Sequence, residues 1–144
     1  MSIPAKFLTA AASLMARAAG EHLTRQELDE IAWAGYRSED AGRIAGELRS
    51  ALRAGAAYDA RYRSRAWQAL ARRRDPADLP LFRAGLREEL GRDSGVAWAL
   101  MVALEEMGES VISPGRGGGA LWEEDANRED AEAYLRRVEV RSDP

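Results

Sequence analysis

The sequence predicts an all-α fold of about seven helices, and three observations support this. β-Branched residues are scarce, whereas Ala, Leu, Arg and Glu are abundant, and this mixture favours helix over strand. Apolar residues recur at i, i+3, i+4 and i+7 in most segments. Seven helices with short connections are typical of a bundle or a helical solenoid. The length of 144 residues fits one domain, so we expect a single α-helical domain over 1–144.

Capping residues and glycines define the first three helices, which occupy residues 1–57. Helix 1 follows Pro4 and stops at Gly20. Thr24 and Glu27 form a capping box that begins helix 2. Helix 3 starts near Ser38, where acidic residues suit the positive helix end. The residues expected to be buried are Phe7, Leu8, Ala11, Leu14, Met15, Ala18, Leu28, Ile31, Ala32, Ala41, Ile44, Ala45, Leu48, Ala51 and Leu52.

The next three helices are set by two aspartates and an apolar run. Helix 4 is predicted from Asp59 to about residue 73, and helix 5 from a cap at Asp75 to about Leu90. Helix 6 follows the turn at 91–94 and contains nine consecutive apolar residues, 96–104. A helix that is apolar on all sides is buried on all sides, so we expect helix 6 to lie in the interior.

A Gly-rich loop over residues 108–125 separates helix 6 from helix 7. Helix 7 is predicted to begin at Asn127, with Asp130 as a capping-box analogue, and to end near Val138. The loop contains Arg116 within a run of glycines. A phosphate-binding loop would place Lys and Ser or Thr at a helix start after a strand. Because neither feature is present, we expect a flexible connector.

Two segments, one beginning at Ala69 and the other 34 residues later at Ala103, follow the same pattern. In each segment an Ala–Leu pair is followed by a polar helix end and by an acidic residue at the turn. The small residue lets two helices approach closely, and the Leu fills the layer between them. Because such a pair cannot bury its own apolar face, we expect pairs to stack.

Five segments of residues 58–137 occur in a characteristic order: YRSRAWQAL at 62–70, DLPLF at 78–82, MVAL at 101–104, SPGR at 113–116 and NREDAEAYL at 127–135. With these segments, this part of the chain resembles small bacterial HEAT-repeat proteins. The resemblance implies an α-α superhelix of stacked antiparallel helix pairs, with helices 4 and 5 and helices 6 and 7 as two pairs over 58–140. Helices 2 and 3 would form a degenerate pair, and helix 1 a cap.

Some proteins of that type resemble immunity proteins of polymorphic or contact-dependent toxin systems. The resemblance therefore implies a non-enzymatic protein-binding module that neutralises a toxin domain by direct binding. The charge distribution agrees, because residues 93–144 carry five Arg and twelve acidic residues, a net charge of −7. The residues expected to contact the partner are Glu105, Glu106, Glu109, Arg116, Trp122, Glu123, Glu124 and Asp125.

A basic stripe at residues 61–74 supports an alternative function in nucleic-acid binding. Residues 61–92 carry nine Arg and four acidic residues, a net charge of +5. The stripe would place Arg63, Arg72, Arg73 and Arg74 on the binding surface. A structural role, in which these groups pack over aromatic rings or pair with acids, is the competing interpretation. A scaffold or accessory subunit is a further alternative.

Catalysis and metal binding are not expected. The chain has no Cys, which excludes disulfides, thiol nucleophiles and thiolate metal sites. His22 is the single histidine and has only Glu21 beside it, so we expect a surface or capping role. The acidic residues lack the spacing of a metal-ligand motif, and no cofactor ligand is recognisable.

The composition indicates a cytoplasmic protein, with one alternative. The longest apolar run is far too short to span a bilayer. Residues 1–18, with Lys6 before an apolar stretch and small residues after it, also resemble a secretory signal. The helical spacing of the apolar residues favours a retained helix instead.

Overall fold

The computed structural model describes residues 3–114 and 123–142, and it confirms the all-α fold. Seven α-helices and four short 3-10 turns account for the secondary structure of these residues, which include no strand. The helices are α1 Leu8–Ala18, α2 Arg25–Trp33, α3 Ala41–Arg53, α4 Ala60–Ala71, α5 Leu79–Leu90, α6 Ser94–Glu106 and α7 Glu124–Ser142. The 3-10 turns at Ala5–Phe7, Ser38–Asp40 and Pro76–Asp78 occupy positions predicted as first helical turns.

The contacts divide the chain into two compact units, Met1–Asp75 and Pro76–Pro144. Helix α4, predicted to pair with α5, falls in the first unit and packs there against α1 and α3. The second unit is built from α5, α6 and α7. The stacking of HEAT-type pairs into a superhelix stays a prediction.

Helix α1 is the centre of the first unit, where a terminal cap was expected. It packs against α2, α3 and α4, and this explains why seven of its eleven residues are buried. Three of these, Ala10, Ser13 and Ala16, are not among the residues predicted to be buried. A helix with three neighbours needs small side chains on several sides so that each neighbour can approach closely.

Helix α2 begins as predicted but is only shallowly buried. Thr24 Oγ1 accepts from the Glu27 amide at 3.2 Å, and Glu27 Oε1 accepts from the Thr24 amide at 3.0 Å, completing the capping box. Ile31 is its only buried residue. Leu28 and Ala32, predicted to be buried, are exposed because α2 packs against α1 through one narrow strip.

The Glu27 carboxylate couples the stability of this helix start to pH. Hydrogen bonding from the Thr24 amide lowers the pKa of Glu27, and the Thr24 hydroxyl and Arg72 act in the same direction against partial burial. A carboxylate whose pKa is lower in the folded state stabilises the fold above its unfolded pKa of about 4.3. That stabilisation is lost as the pH falls through the folded value.

We therefore expect Glu27→Gln to lower the free energy of unfolding at pH 7 but to have a progressively smaller effect below about pH 4. Urea unfolding of both proteins between pH 7 and pH 3 measures this difference. Glu39→Gln is the control, because Glu39 is exposed and outside the box. A wild-type-to-variant difference that stays constant across the pH range would contradict the prediction.

Helices α5 and α6 form a hairpin, and α6 is largely buried as predicted. Asp93 caps α6, its side chain accepting from the Val96 amide at 3.0 Å. Val102 is an exception to the burial, since its side chain is exposed, and Trp98 is half-buried. The repeat-related residues Leu70 and Leu104 are both fully buried within their own units.

Helix α7 differs from the prediction at both ends, since it begins at Glu124 and continues to Ser142. Asn127 and Asp130, predicted as helix start and capping partner, are buried inside it. Asp130 instead accepts hydrogen bonds from the Ser113 amide, at 3.0 Å, and from the Ser113 hydroxyl. The Asp130 carboxylate, which the local spacing predicted as a capping group, therefore binds a residue that is distant in the sequence.

Helix α7 runs in the same direction as α6. Ser94, the first residue of α6, donates to the Glu124 carboxylate at the first residue of α7, at 3.1 Å. At the other end, Arg137 of α7 donates to the carbonyl of Ser110, just after α6, at 2.7 Å. This parallel arrangement differs from the antiparallel pair that the repeat predicts for these two helices.

Candidate partner-binding surfaces

The six acidic residues predicted to contact a partner do not form one surface. Because α6 and α7 start side by side, Glu123, Glu124 and Asp125 lie near the first turn of α6, whereas Glu106 lies at its end. The 13 residues of α6 span about 20 Å. The acidic set is thus split between the two ends of this helix.

Two acidic side chains at the far end of α6 hold the second unit together. Glu105 Oε1 accepts from the amides of Val111 and Ile112, at 3.3 and 3.0 Å, and so fixes the start of the loop. Glu109 Oε1 accepts from Arg83 Nη2 and from the Tyr134 hydroxyl, each at 2.7 Å. Both residues are therefore half-buried and bonded within the unit, and their contact with a partner stays a prediction.

Arg83, Glu109 and Tyr134 form a closed hydrogen-bonded network, which we call the Tyr134 network. Arg83 Nε also donates to the Tyr134 oxygen at 3.0 Å. Burial raises the pKa of Tyr134, so its hydroxyl stays protonated and continues to donate to Glu109. Arg83 could not be connected with Tyr134 from the sequence, because nothing local relates positions 83 and 134.

Two of the predicted contact acids, both in the first turn of α7, border a small pocket of about 190 Å³. Glu124 and Asp125 line it, and both are exposed. The opposite wall includes Trp98 and Met101 of α6. Arg128 also lines the pocket, but its guanidinium donates to the Leu90 carbonyl and lies 3.8 Å from Glu132. We call this cavity the acidic pocket.

Two predicted contact residues, Arg116 and Trp122, lie outside the described residues. Glu106 and Glu123 are described and exposed. Of the predicted partner-contact set, Glu124 and Asp125 are therefore the ones that the structure brings together at a cavity.

The predicted basic stripe is largely engaged within the first unit. Arg63 is buried and donates to the Tyr58 carbonyl at 2.7 Å, so it does not belong to an exposed basic surface. Arg72 contacts the Glu27 carboxylate at 3.3 Å and Glu21 at 3.6 Å. Arg74 is exposed and lies 3.9 Å from Glu21, and Arg73 is half-buried. Intramolecular pairing thus explains most of the stripe.

An exposed aromatic side chain, Trp33, was not singled out from the sequence. It is 66% exposed, and its ring meets Phe7 edge-on with 5.1 Å between centroids. Tyr36 contacts the same Phe7 ring at 6.1 Å. An exposed Trp held by neighbouring rings is typical of protein-binding surfaces. Trp33 lies at the surface because α2 is only shallowly buried.

The described residues hold neither a cluster of metal ligands nor a helix that could cross a membrane. Over 3–114 and 123–142, no group of three or more His, Asp or Glu side chains is placed to hold a metal ion. His22 is exposed. None of the helices in these ranges has the length and apolar character needed to cross a bilayer.

Comparison with known proteins adds no family assignment: no protein-family model, curated protein or solved structure matches this chain.

Proposed function

We propose that this protein is a non-enzymatic protein-binding module, and specifically a cytoplasmic immunity protein that neutralises a toxin by direct binding. The resemblance of residues 58–137 to HEAT-type immunity proteins motivates the proposal. The observation that carries it is the acidic pocket, in which Glu124 and Asp125 line the same cavity as Trp98. The exposed Trp33 gives further support for a binding role.

The acidic pocket suits a long basic side chain from a partner. Its volume of about 190 Å³ equals that of about six water molecules, enough for one Lys or Arg side chain. The aliphatic stem would pack against Trp98 while the cationic head meets the two carboxylates. Arginine and aromatic side chains that fill a pocket commonly contribute much of the binding energy of an interface.

The charge of the pocket also suits the proposed class of partner. Toxin domains that cleave nucleic acids need basic surfaces to bind phosphates. An acidic surface on the inhibitor accelerates association with such a domain and selects its orientation. Nucleic-acid binding by this chain has less support, because Arg63 is buried and Arg72 is paired with two carboxylates.

The test is neutralisation of a toxin encoded beside this gene. We expect the chain to co-elute with that toxin and to relieve its growth inhibition. Replacing both Glu124 and Asp125 with Lys should weaken the affinity by about 100-fold, since two attractive charges become repulsive. Most of this loss of affinity should come from a slower association rate, and the association rate should depend on salt concentration. Surface plasmon resonance at several ionic strengths measures both.

Glu106→Lys is the matched control, because Glu106 is an exposed acid in the same unit but at the other end of α6. Circular dichroism shows whether each variant stays folded, as Lys at the first turn of α7 opposes the helix dipole by about 0.3–1 kcal/mol. Failure of the wild-type chain to bind the toxin would refute the proposed function. If the double variant binds the toxin as tightly as the wild type, the acidic pocket is not part of the binding site.

A further inference from the structure

A second and larger cavity lies at the opposite end of the second unit, beside the later turns of α7. It is an open groove of about 830 Å³. The turn Gly108, Glu109 and Ser110 forms one wall. The other wall is a single face of α7, since its residues follow the spacing i, i+3, i+4 and i+7. These residues are Ala133, Arg136, Arg137 and Val140.

The base of this groove is fixed by the Tyr134 network. Tyr134 borders the groove but is only 1% exposed, so its ring is buried beneath the surface and held in place by packing. The Glu109 carboxylate accepts from Arg83 and from Tyr134, and its charge is therefore balanced from inside the unit. A ligand in the groove would therefore meet an acid that is already neutralised, above a rigid base.

The wall formed by α7 is cationic and apolar. Among the described residues, no carboxylate lies within ion-pair distance of Arg136 or Arg137. Glu139, the nearest acid along the helix, pairs with Arg87 at 3.2 Å. Arg137 is held in place, because it donates to the Ser110 carbonyl at 2.7 Å and lies 5.9 Å from the Tyr134 ring centroid.

Val140 supplies the apolar part of this wall and is 75% exposed, the most exposed of the large apolar side chains in the described chain. With Ala133 it brackets the two arginines along the helix. The two arginines lie between two apolar residues over about 10 Å of helix. This arrangement is complementary to a peptide in which acidic and apolar side chains alternate. A phosphate backbone would leave the exposed Val140 without an apolar partner.

We propose that this groove binds an acidic amphipathic peptide segment of another protein. Its carboxylates pair with Arg136 and Arg137, and an apolar side chain packs against Val140. The site is distinct from the acidic pocket, which would take a basic side chain. It does not depend on the proposed toxin-neutralising function, because the residues and the charge of the ligand are different.

The experiment is selection from a random twelve-residue peptide display library on the full-length chain. We expect the enriched peptides to carry Asp or Glu together with at least one large apolar residue. Labelled copies of these peptides are then titrated by fluorescence anisotropy. Arg136→Glu should weaken binding at least tenfold, and Val140→Asp should do the same through lost apolar contact and added repulsion. Arg61→Glu, an exposed arginine on α4, should leave it unchanged.

We expect the separate variants at Arg136 and Val140 to stay folded, since both side chains are exposed and Arg137 keeps its bond to Ser110. Enrichment of basic or purely apolar peptides would overturn the proposal. So would acidic peptides that bind both groove variants as tightly as the wild type. If light scattering shows that the wild type self-associates and Arg136→Glu abolishes this, the occupant is a second copy, and the partner segment is refuted.

Discussion

Tyr134→Ala is expected to destabilise the protein by about 3–5 kcal/mol, because it combines a cavity with a broken polar network. Tyr134 is among the largest fully buried side chains of the described chain. Its loss removes the ring from the contact between α7 and the rest of the second unit. It also removes the hydroxyl that accepts from Arg83 and donates to Glu109. A loss of this size is a large fraction of the 5–15 kcal/mol typical of a domain.

Tyr134→Phe separates the two contributions. The ring stays, and Arg83 and Glu109 keep their own contact at 2.7 Å, so the cost should be only about 1–2 kcal/mol. Urea unfolding followed by circular dichroism measures the free energy of unfolding of each variant. Equal destabilisation by Ala and Phe would show that the hydroxyl matters more than packing. A change below about 1 kcal/mol for Ala would contradict the central position of Tyr134.

The parts of this fold that sequence could predict depend on neighbours within one or two helical turns. The Thr24–Glu27 capping box needs only the amides of its own first turn, and it forms as predicted. The buried character of α6 follows from its own composition, because a wholly apolar helix finds no stable position in water. Local chemistry therefore determined the existence of the helices and most of their starts.

The direction of α7 could not be predicted, because it depends on contacts between distant residues. The spacing of Asn127 and Asp130 indicated a helix start, but Asp130 binds Ser113, seventeen residues away. An antiparallel pair would have brought the acids around the loop together. The parallel arrangement instead places Glu124 beside Ser94 and leaves Glu106 a helix length away.

The candidate sites show the same division between local and distant effects. The sequence predicted Glu124 and Asp125 as partner contacts, and they lie at a cavity. It did not predict the groove beside α7, because one wall is the turn at 108–110 and the other lies some 25 residues later. Arg63 illustrates the reverse case, since its charge indicated a surface, whereas the Tyr58 carbonyl satisfies it in the interior.

Leu70→Ala and Leu104→Ala are each expected to lower the free energy of unfolding by about 2–5 kcal/mol. Both leucines are fully buried and follow a buried alanine, Ala69 or Ala103. Removing the leucine leaves a cavity that the surrounding helices fill only partly, because the small neighbouring residue has already brought them close together. The cost should therefore be similar at the two positions, although each lies in a different unit.

Leu28→Ala is the matched control, since the same atoms are deleted from a side chain that is 40% exposed. All three leucines were predicted to be buried, so the three variants separate the effect of helical spacing from that of actual packing. The structure predicts a cost below about 1 kcal/mol for Leu28, because most of the transfer free energy is absent where water already reaches the side chain. If Leu28→Ala costs as much as Leu70→Ala, α2 is packed more deeply than its single buried residue, Ile31, implies. The shallow position of α2 that exposes Trp33 would then be refuted as well.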